Sequence, residues 1–151
     1  MKKILVLLFL SISFSGFSQK IKLKKGEVLV NKELWLKYEN CGALSQFCSL
    51  LNLEGEELIF VKFFSVEGGT RRTKANSKGT IHYQEIVFLG LDKTIEVQET
   101  QKSILKLLYN GKVINEDGSL DKENVSRMVE KYGTPFSDRL DAKHTIIINN
   151  N

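Results

Sequence analysis

The sequence predicts an α+β fold: an antiparallel meander sheet of about six or seven strands, followed by two C-terminal helices packed on it. From Lys20 onward, apolar and polar residues alternate with a period of two, which is typical of half-buried strands. After Thr100 the apolar residues recur at helical spacing instead. Because the strand patterns come first and the helix patterns follow, the sequence favours separate layers over alternating βαβ units.

Turn signals divide the first part of the chain into strands. The clearest local signal is a hairpin, in which apolar runs over residues 47–53 and 58–65 flank a turn at Glu54 and Gly55. The second run is apolar on both alternating faces, which predicts a central strand covered on both sides. Further strands are expected at residues 20–24, 34–39, 81–89 and 94–98.

Two amphipathic helices are predicted after the strands. The first carries isoleucine and leucine side chains on one broad face and ends at Gly111. The second begins at the N-cap residue Asp121 and ends before Gly133, with Leu120 and Val125 placed as a hydrophobic staple. Each helix must bury its apolar stripe, so we expect both to pack on the sheet.

The beginning of the chain has the three-part pattern of a signal peptide. Two lysines precede an apolar run over residues 4–14, and small residues follow it. The run is shorter than the roughly 20 apolar residues that a membrane span needs. We therefore expect residues 1–18 to be removed between Ser18 and Gln19, leaving no stable membrane anchor. No cysteine follows the run, so the expected product is a periplasmic or extracellular protein and not a lipoprotein.

Residues 19–142 are predicted to form a single domain, and residues 143–151 a flexible C-terminal tail with a possible short strand. Removing Lys2 and Lys3 with the signal peptide lowers the formal net charge from +4 to +2. A chain so nearly balanced gives no argument for sequence-specific binding of nucleic acid.

Cys41 and Cys48 are the only cysteines of the chain. An even count in an exported protein favours a disulfide between them. Two buried free thiols are the alternative, since both behave as small apolar side chains. Sequence positions alone do not establish the Cα separation that a disulfide requires.

Four stretches resemble a known group of proteins. They are the signal ending Phe17-Ser18-Gln19, the Lys-Lys-Gly turn at residues 24–26, the hairpin sequence at residues 53–62 and the helix end at residues 129–133. In these stretches the chain is similar to small uncharacterised exported proteins of Bacteroidota-type bacteria. The resemblance covers most of the mature chain and implies export and this order of strands and helices. It implies no activity, because the matching motifs are turns, a core strand and a helix end.

No cofactor or metal site is predicted. His82 and Glu85 are an odd number of residues apart on a strand, so their side chains point to opposite faces, and His144 lies in the tail. Zinc-ligand spacings are missing. Residues 115–121 contain the Asn, Asp and Gly residues of a calcium loop, but its strongest ligand positions fall on Val113 and Asn124, so a turn is the simpler interpretation.

Catalytic motifs are also missing. Ser119 has no neighbouring base in the sequence and there is no nucleophile-elbow pattern. The carboxylates at residues 54–57 and 138–141 are interpreted as solvated surface. The protein is therefore expected not to be an enzyme, although a catalytic site assembled from distant positions stays open as an alternative.

The loop at residues 68–79 is the one segment with unbalanced charge. It contains three glycines and no acidic residue. A cationic loop of this kind suits the phosphate or sulfate groups of an envelope polyanion. The alternative is a solvated hairpin loop that only keeps the protein soluble. The loop has no aromatic residue for stacking on bases, which argues against single-stranded nucleic acid. The candidate anion contacts are Arg71, Arg72, Lys74 and Lys78.

These observations favour an exported, non-catalytic binding or interaction module of the bacterial envelope with an unknown partner. A weak polyanion binder acting through residues 68–79, or an enzyme whose site the sequence does not reveal, are the alternatives.

Overall fold

Seven strands form one antiparallel sheet in the computed structural model, which describes residues 20–42 and 45–140. Their order in the sheet is their order in the chain, so each strand pairs with the one before it. This meander, followed by helices, confirms the predicted α+β fold. The strands are β1 (Ile21–Lys24), β2 (Glu27–Val30), β3 (Glu33–Glu39), β4 (Phe47–Leu51), β5 (Glu57–Val66), β6 (Ile81–Phe88) and β7 (Lys93–Val97).

Two helices follow the sheet, α1 (Gln101–Asn110) and α2 (Lys122–Tyr132). The Asp121 side chain accepts a hydrogen bond from the backbone N–H of Asn124, which confirms the predicted N-cap of α2. Residues 135–140 are helical as well, a turn that the sequence analysis did not predict.

The core lies between the two helices and one face of the sheet. It combines alternate residues of the strands with the apolar stripes of both helices, as the two periodicities predict. We call the sheet face opposite the helices the open face. The fully buried core side chains include Val28, Leu36, Leu50, Ile59, Ile86, Phe88, Ile95, Ile104, Leu105, Leu108 and Val125.

A β-bulge directs one large side chain toward the helices. The pairing of β2 with β3 skips Trp35, which leaves this residue without a partner in β2. Its ring packs edge-on against the ring of Tyr109 in α1, with the ring centroids 5.0 Å apart. Bulges characteristically re-aim a side chain in this way. Trp35 therefore helps to hold α1 against the N-terminal strands.

The chain crosses the edge of the sheet after α2. The backbone N–H of Glu96 in β7 donates to the carbonyl oxygen of Gly133, with an N to O distance of 2.8 Å. The buried carboxylate of Glu96 accepts from the backbone N–H groups of Phe136 and Ser137, at 2.8 and 3.0 Å. Glu96 alternates with the core residues of its strand, so its side chain lies on the open face. These hydrogen bonds bring residues 135–140 onto that face beside β6 and β7.

The predicted signal peptide at residues 1–18, its cleavage point before Gln19 and the predicted tail at residues 143–151 with His144 lie outside the described residues. Among the helices that the structure describes, none is both long enough and apolar enough to cross a membrane.

Candidate interaction surface

The open face of the central strands carries aromatic and charged side chains. In β5, residues Phe60, Lys62 and Phe64 alternate with core residues and therefore point away from the helices. The register places Lys62 opposite Glu85 and Phe64 opposite Tyr83 in β6. The sequence analysis expected β5 to be covered on both faces. Residues 135–140 lie on the open face, but Phe47 and Phe64 on that face are 42% and 37% exposed, so among the described residues the face is covered only in part.

Three stacked rings cross the open face, and we call them the aromatic column. The rings of Phe136 and Tyr83 are stacked with centroids 5.2 Å apart, and those of Tyr83 and Phe64 with centroids 5.0 Å apart and planes 14° apart. Tyr83 is buried between its two neighbours, whereas Phe64 is 37% exposed. Within the described chain Phe64 makes no other ring contact. Among the described residues Phe64 is therefore the last ring of the column, and part of its surface is exposed to solvent.

A second aromatic pair lies on the other side of Lys62. Phe47 of β4 is opposite Lys62 in the register, and its ring lies 5.6 Å from that of Phe60, centroid to centroid. Phe47 is 42% exposed. We define the open-face patch as Phe47, Phe60, Lys62, Phe64 and Glu85. The patch thus has two aromatic positions separated by a polar one.

The polar position of the patch is a cross-strand ion pair. The Nζ atom of Lys62 lies 2.7 Å from the Oε2 atom of Glu85, and both side chains are partly exposed. An ammonium group has three donors and a carboxylate about four acceptor sites, so this single contact leaves most of their hydrogen-bonding capacity unused. The pair can therefore both donate to a partner and accept from it.

The predicted basic loop continues the β5–β6 hairpin and begins directly beyond Phe64 and Val66. The backbone N–H groups of Gly68 and Thr70 donate to the carbonyl oxygens of Lys78 and Gly79, which extends the ladder past the ends of the strands. The side chain of Asn76 bonds both the N–H and the C=O of Thr80. The loop is accordingly held in a defined conformation next to the end of the aromatic column.

Three of the four predicted anion contacts are unpaired. Arg71, Arg72 and Lys74 are exposed and form no ion pair within residues 20–42 and 45–140. Lys78 differs, because its Nζ atom lies 2.6 Å from Oε1 of Glu67 at the other base of the loop. This exposed pair is weak, but it offsets part of the charge of Lys78. The cationic character of the loop thus rests mainly on Arg71, Arg72 and Lys74.

Cys41 and Cys48 form the disulfide that the sequence analysis favoured. The bridge ties the chain after β3 to β4, next to Phe47. The Cys48 side chain is buried, and the side-chain amide of Gln101 in α1 donates to its Sγ atom at 3.5 Å. The disulfide therefore fixes the strand end that carries one side of the open-face patch.

The other residues singled out in the sequence do not converge on a site. His82 is exposed and alternates with Tyr83 and Glu85, so it points away from the patch.

Asp117 accepts hydrogen bonds from the hydroxyl and the backbone N–H of Ser119, at 2.6 and 2.9 Å. The hydroxyl bond is the main cause of a lowered pKa at Asp117, and the N–H bond adds to it. These contacts belong to a turn at Gly118, and the described residues contain no group of three or more potential metal ligands.

The clefts beside the helices give no evidence for a catalytic site. One of about 400 Å³ lies between α1 and α2 and includes Arg127 and Lys131, and another of about 520 Å³ lies beside Trp35 and Tyr109. Arg127 is already paired with a glutamate on the same helix. The described lining of both clefts brings no histidine, cysteine or serine together with a base, so neither forms a catalytic arrangement.

Comparisons of the chain with models of protein families, with curated proteins and with solved structures find no match. The functional argument therefore rests on the geometry of the chain itself.

Of the open-face patch, the sequence analysis singled out only Glu85, and only as a possible metal ligand beside His82. The alternation of Phe60, Lys62 and Phe64 was a usable signal, because period-two spacing places all three on one face. Which face the helices would cover was not readable from the same pattern.

Proposed function

We propose that this protein is an exported binding module of the bacterial envelope that holds its partner on the open-face patch. The observation that carries the proposal is the exposure of Phe47 and Phe64 on the same face of central strands, both next to Lys62 of the Lys62–Glu85 ion pair. Exposed apolar groups gathered in one patch mark binding surfaces more often than scattered ones do. The Cys41–Cys48 disulfide supports export, since disulfides persist in oxidising compartments.

The rigidity of the patch also supports a binding role. Phe64 is held by its stack on Tyr83, and Phe47 by its contact with Phe60 and by the disulfide at the next residue. Side chains that are already ordered lose little conformational entropy when a partner arrives. Aromatic side chains are enriched at the centres of interfaces for the same reason.

Cosedimentation with an envelope preparation tests this proposal. Mature protein is mixed with washed envelope of the source bacterium, and the pelleted fraction is measured for wild type and for the double variant Phe47→Ser/Phe64→Ser. The matched control is Leu34→Ser/Leu53→Ser, because these leucines are 42% and 45% exposed and line the same cleft away from the patch. We expect the phenylalanine variant to lose most of its binding and the leucine variant to retain it. Equal pelleting of all three proteins contradicts the proposal.

Polyanion binding through the loop at residues 68–79 is a second candidate, favoured by the exposed charges of Arg71, Arg72 and Lys74. Retention on heparin is compared for wild type and a variant with all four basic residues of the loop changed to alanine. If three of them contact phosphate on a duplex DNA probe, the logarithmic salt dependence has a slope of about −2.7, which the variant flattens. Equal retention of the two proteins would mean that the loop is only a solvated connection.

A further inference from the structure

We infer that the partner held by the open-face patch is a polysaccharide, with a sugar ring stacked on the exposed part of the Phe64 ring. This inference rests on the proposed binding function and adds the chemical class of the partner. It depends on three features of the patch: the partly exposed ring of Phe64 at the end of the aromatic column, the ion pair beside it and the second exposed phenylalanine, Phe47, opposite Lys62.

The end of the aromatic column matches the apolar side of a sugar ring. The face of an aromatic ring is electron-rich, and it attracts groups that carry partial positive charge. Axial C–H groups of a pyranose present such a surface as a flat patch of about the size of a phenyl ring. Tyr83, itself stacked on Phe136, holds the Phe64 ring in place, and 37% of Phe64 stays exposed, so part of an already ordered ring is accessible to a sugar.

The ion pair matches the hydroxyl rim of the same ring. A sugar hydroxyl both donates and accepts, and the Lys62–Glu85 pair offers unused donors and acceptors within a few ångströms of each other. An apolar protein surface would bury this pair without replacing its contacts with water, which is unfavourable. The phosphates of a nucleic acid would meet the negative charge of Glu85. Neutral hydroxyl groups satisfy both partners of the pair.

The second aromatic position favours a polymer over a single sugar. Phe47 lies opposite Lys62 on the β4 side and exposes about as much of its surface as Phe64 does. One sugar ring on each phenylalanine would place the hydroxyls of both rings near Lys62 and Glu85. Beyond Phe64 the chain continues into the basic loop, where Arg71 and Arg72 are available to acidic substituents of a longer chain.

Sedimentation with insoluble polysaccharides tests the inference. The probes are purified peptidoglycan sacculi, chitin and cellulose, and an oligothymidylate measures binding to single-stranded nucleic acid in parallel. The variants are Phe64→Ala, Phe47→Ala and the double variant Lys62→Met/Glu85→Leu, which removes the polar position and keeps the rings. Leu53→Ala is the control, since it changes an equally exposed apolar residue off the patch. Thermal unfolding of every variant confirms that it is folded.

We expect wild type to bind at least one polysaccharide, and the patch variants to bind it about fivefold to tenfold more weakly, while Leu53→Ala binds normally. The polar double variant distinguishes sugars from a purely apolar partner, which would bind it as well as wild type. No binding to any of the three polysaccharides overturns the inference. Preferential binding of the oligothymidylate overturns it in favour of nucleic acid.

Two further outcomes assign the patch to another occupant and overturn the inference. One is a concentration-dependent dimer that Phe64→Ala abolishes. The other is full-length protein that binds no polysaccharide and whose Phe64 becomes more reactive to oxidation when residues 141–151 are removed. Envelope binding that depends on Phe47 and Phe64, without any polysaccharide binding, contradicts only the inference and leaves the proposed function intact.

Discussion

The carboxylate of Glu96 accepts two backbone hydrogen bonds from a segment 40 residues further along the chain, beginning with the N–H of Phe136 at 2.8 Å. This contact holds the helical turn at residues 135–140 on the open face, and through Phe136 it supports the ring of Tyr83. The end of the aromatic column at Phe64 therefore depends on a buried acidic residue that lies at the edge of the sheet.

Glu96→Ala should destabilise the protein, because it leaves the N–H groups of Phe136 and Ser137 without their buried acceptor. We expect a loss of about 2 kcal/mol in the free energy of unfolding, measured by urea denaturation. The control is Glu123→Ala, which removes an exposed ion pair within α2 and should change stability by less than about 0.5 kcal/mol. Equal effects of the two substitutions would show that Glu96 does not anchor the segment.

The disulfide should contribute measurably to stability. It closes a loop between residues seven positions apart, for which chain entropy gives about 2.5 kcal/mol. The variant Cys41→Ala/Cys48→Ala should lose about this amount in urea denaturation, and adding a reductant to wild type should have the same effect. Alkylation of exported protein, unfolded without a reductant, gives the independent check. Labelling of both thiols there would contradict the disulfide.

The lowered pKa of Asp117 makes the stability of the fold depend on pH in a defined direction. Because its pKa in the folded protein lies below the unfolded value, the hydrogen bonds from Ser119 stabilise the fold above the unfolded pKa. This contribution is lost as the pH falls through the lowered pKa. Ser119→Ala should move the Asp117 carboxyl titration, followed by NMR, back toward the ordinary aspartate range. An unchanged titration in this variant would contradict the assigned cause.

Export should produce a chain that begins at Gln19, whose amino terminus is able to cyclise to pyroglutamate. The reason is that small residues precede the predicted cleavage point after Ser18. The intact mass of protein recovered from outside the cytoplasm gives the new terminus directly. A mature product that still contains the apolar run at residues 4–14 would contradict both the signal peptide and the predicted location.

Local patterns in the sequence predicted much of the fold. The meander, the N-cap at Asp121 and the Cys41–Cys48 pairing all follow from alternation, helical spacing and residue type. The turn at residues 135–140 was missed because the sequence analysis ended the helical pattern at Gly133, although Pro135 is a residue favoured in the first turn of a new helix. The hydrogen bond that Glu96 accepts from Phe136 has no local signal, since it joins distant segments.

The open-face patch was harder to predict from the sequence, because its exposure also depends on contacts between distant segments. Period-two alternation separates Phe60, Lys62 and Phe64 from the core residues of β5, but it does not tell which of the two sheet faces the helices cover. That choice is made by long-range packing of α1 and α2. The basic residues of the loop were identifiable from composition, whereas the pairing of Lys78 with Glu67 needed the geometry of the hairpin.

Hydroxyl-radical footprinting of the envelope-bound protein tests the open-face patch most directly, because it measures the exposure of individual side chains. Oxidation of each residue is quantified by mass spectrometry for free protein and for protein bound to the envelope preparation. We predict that oxidation of Phe47 and Phe64 falls several-fold on binding, while that of Leu34 and Leu53 stays within experimental error of the free protein. Protection of the two leucines with unchanged oxidation of the two phenylalanines would contradict binding through the open-face patch.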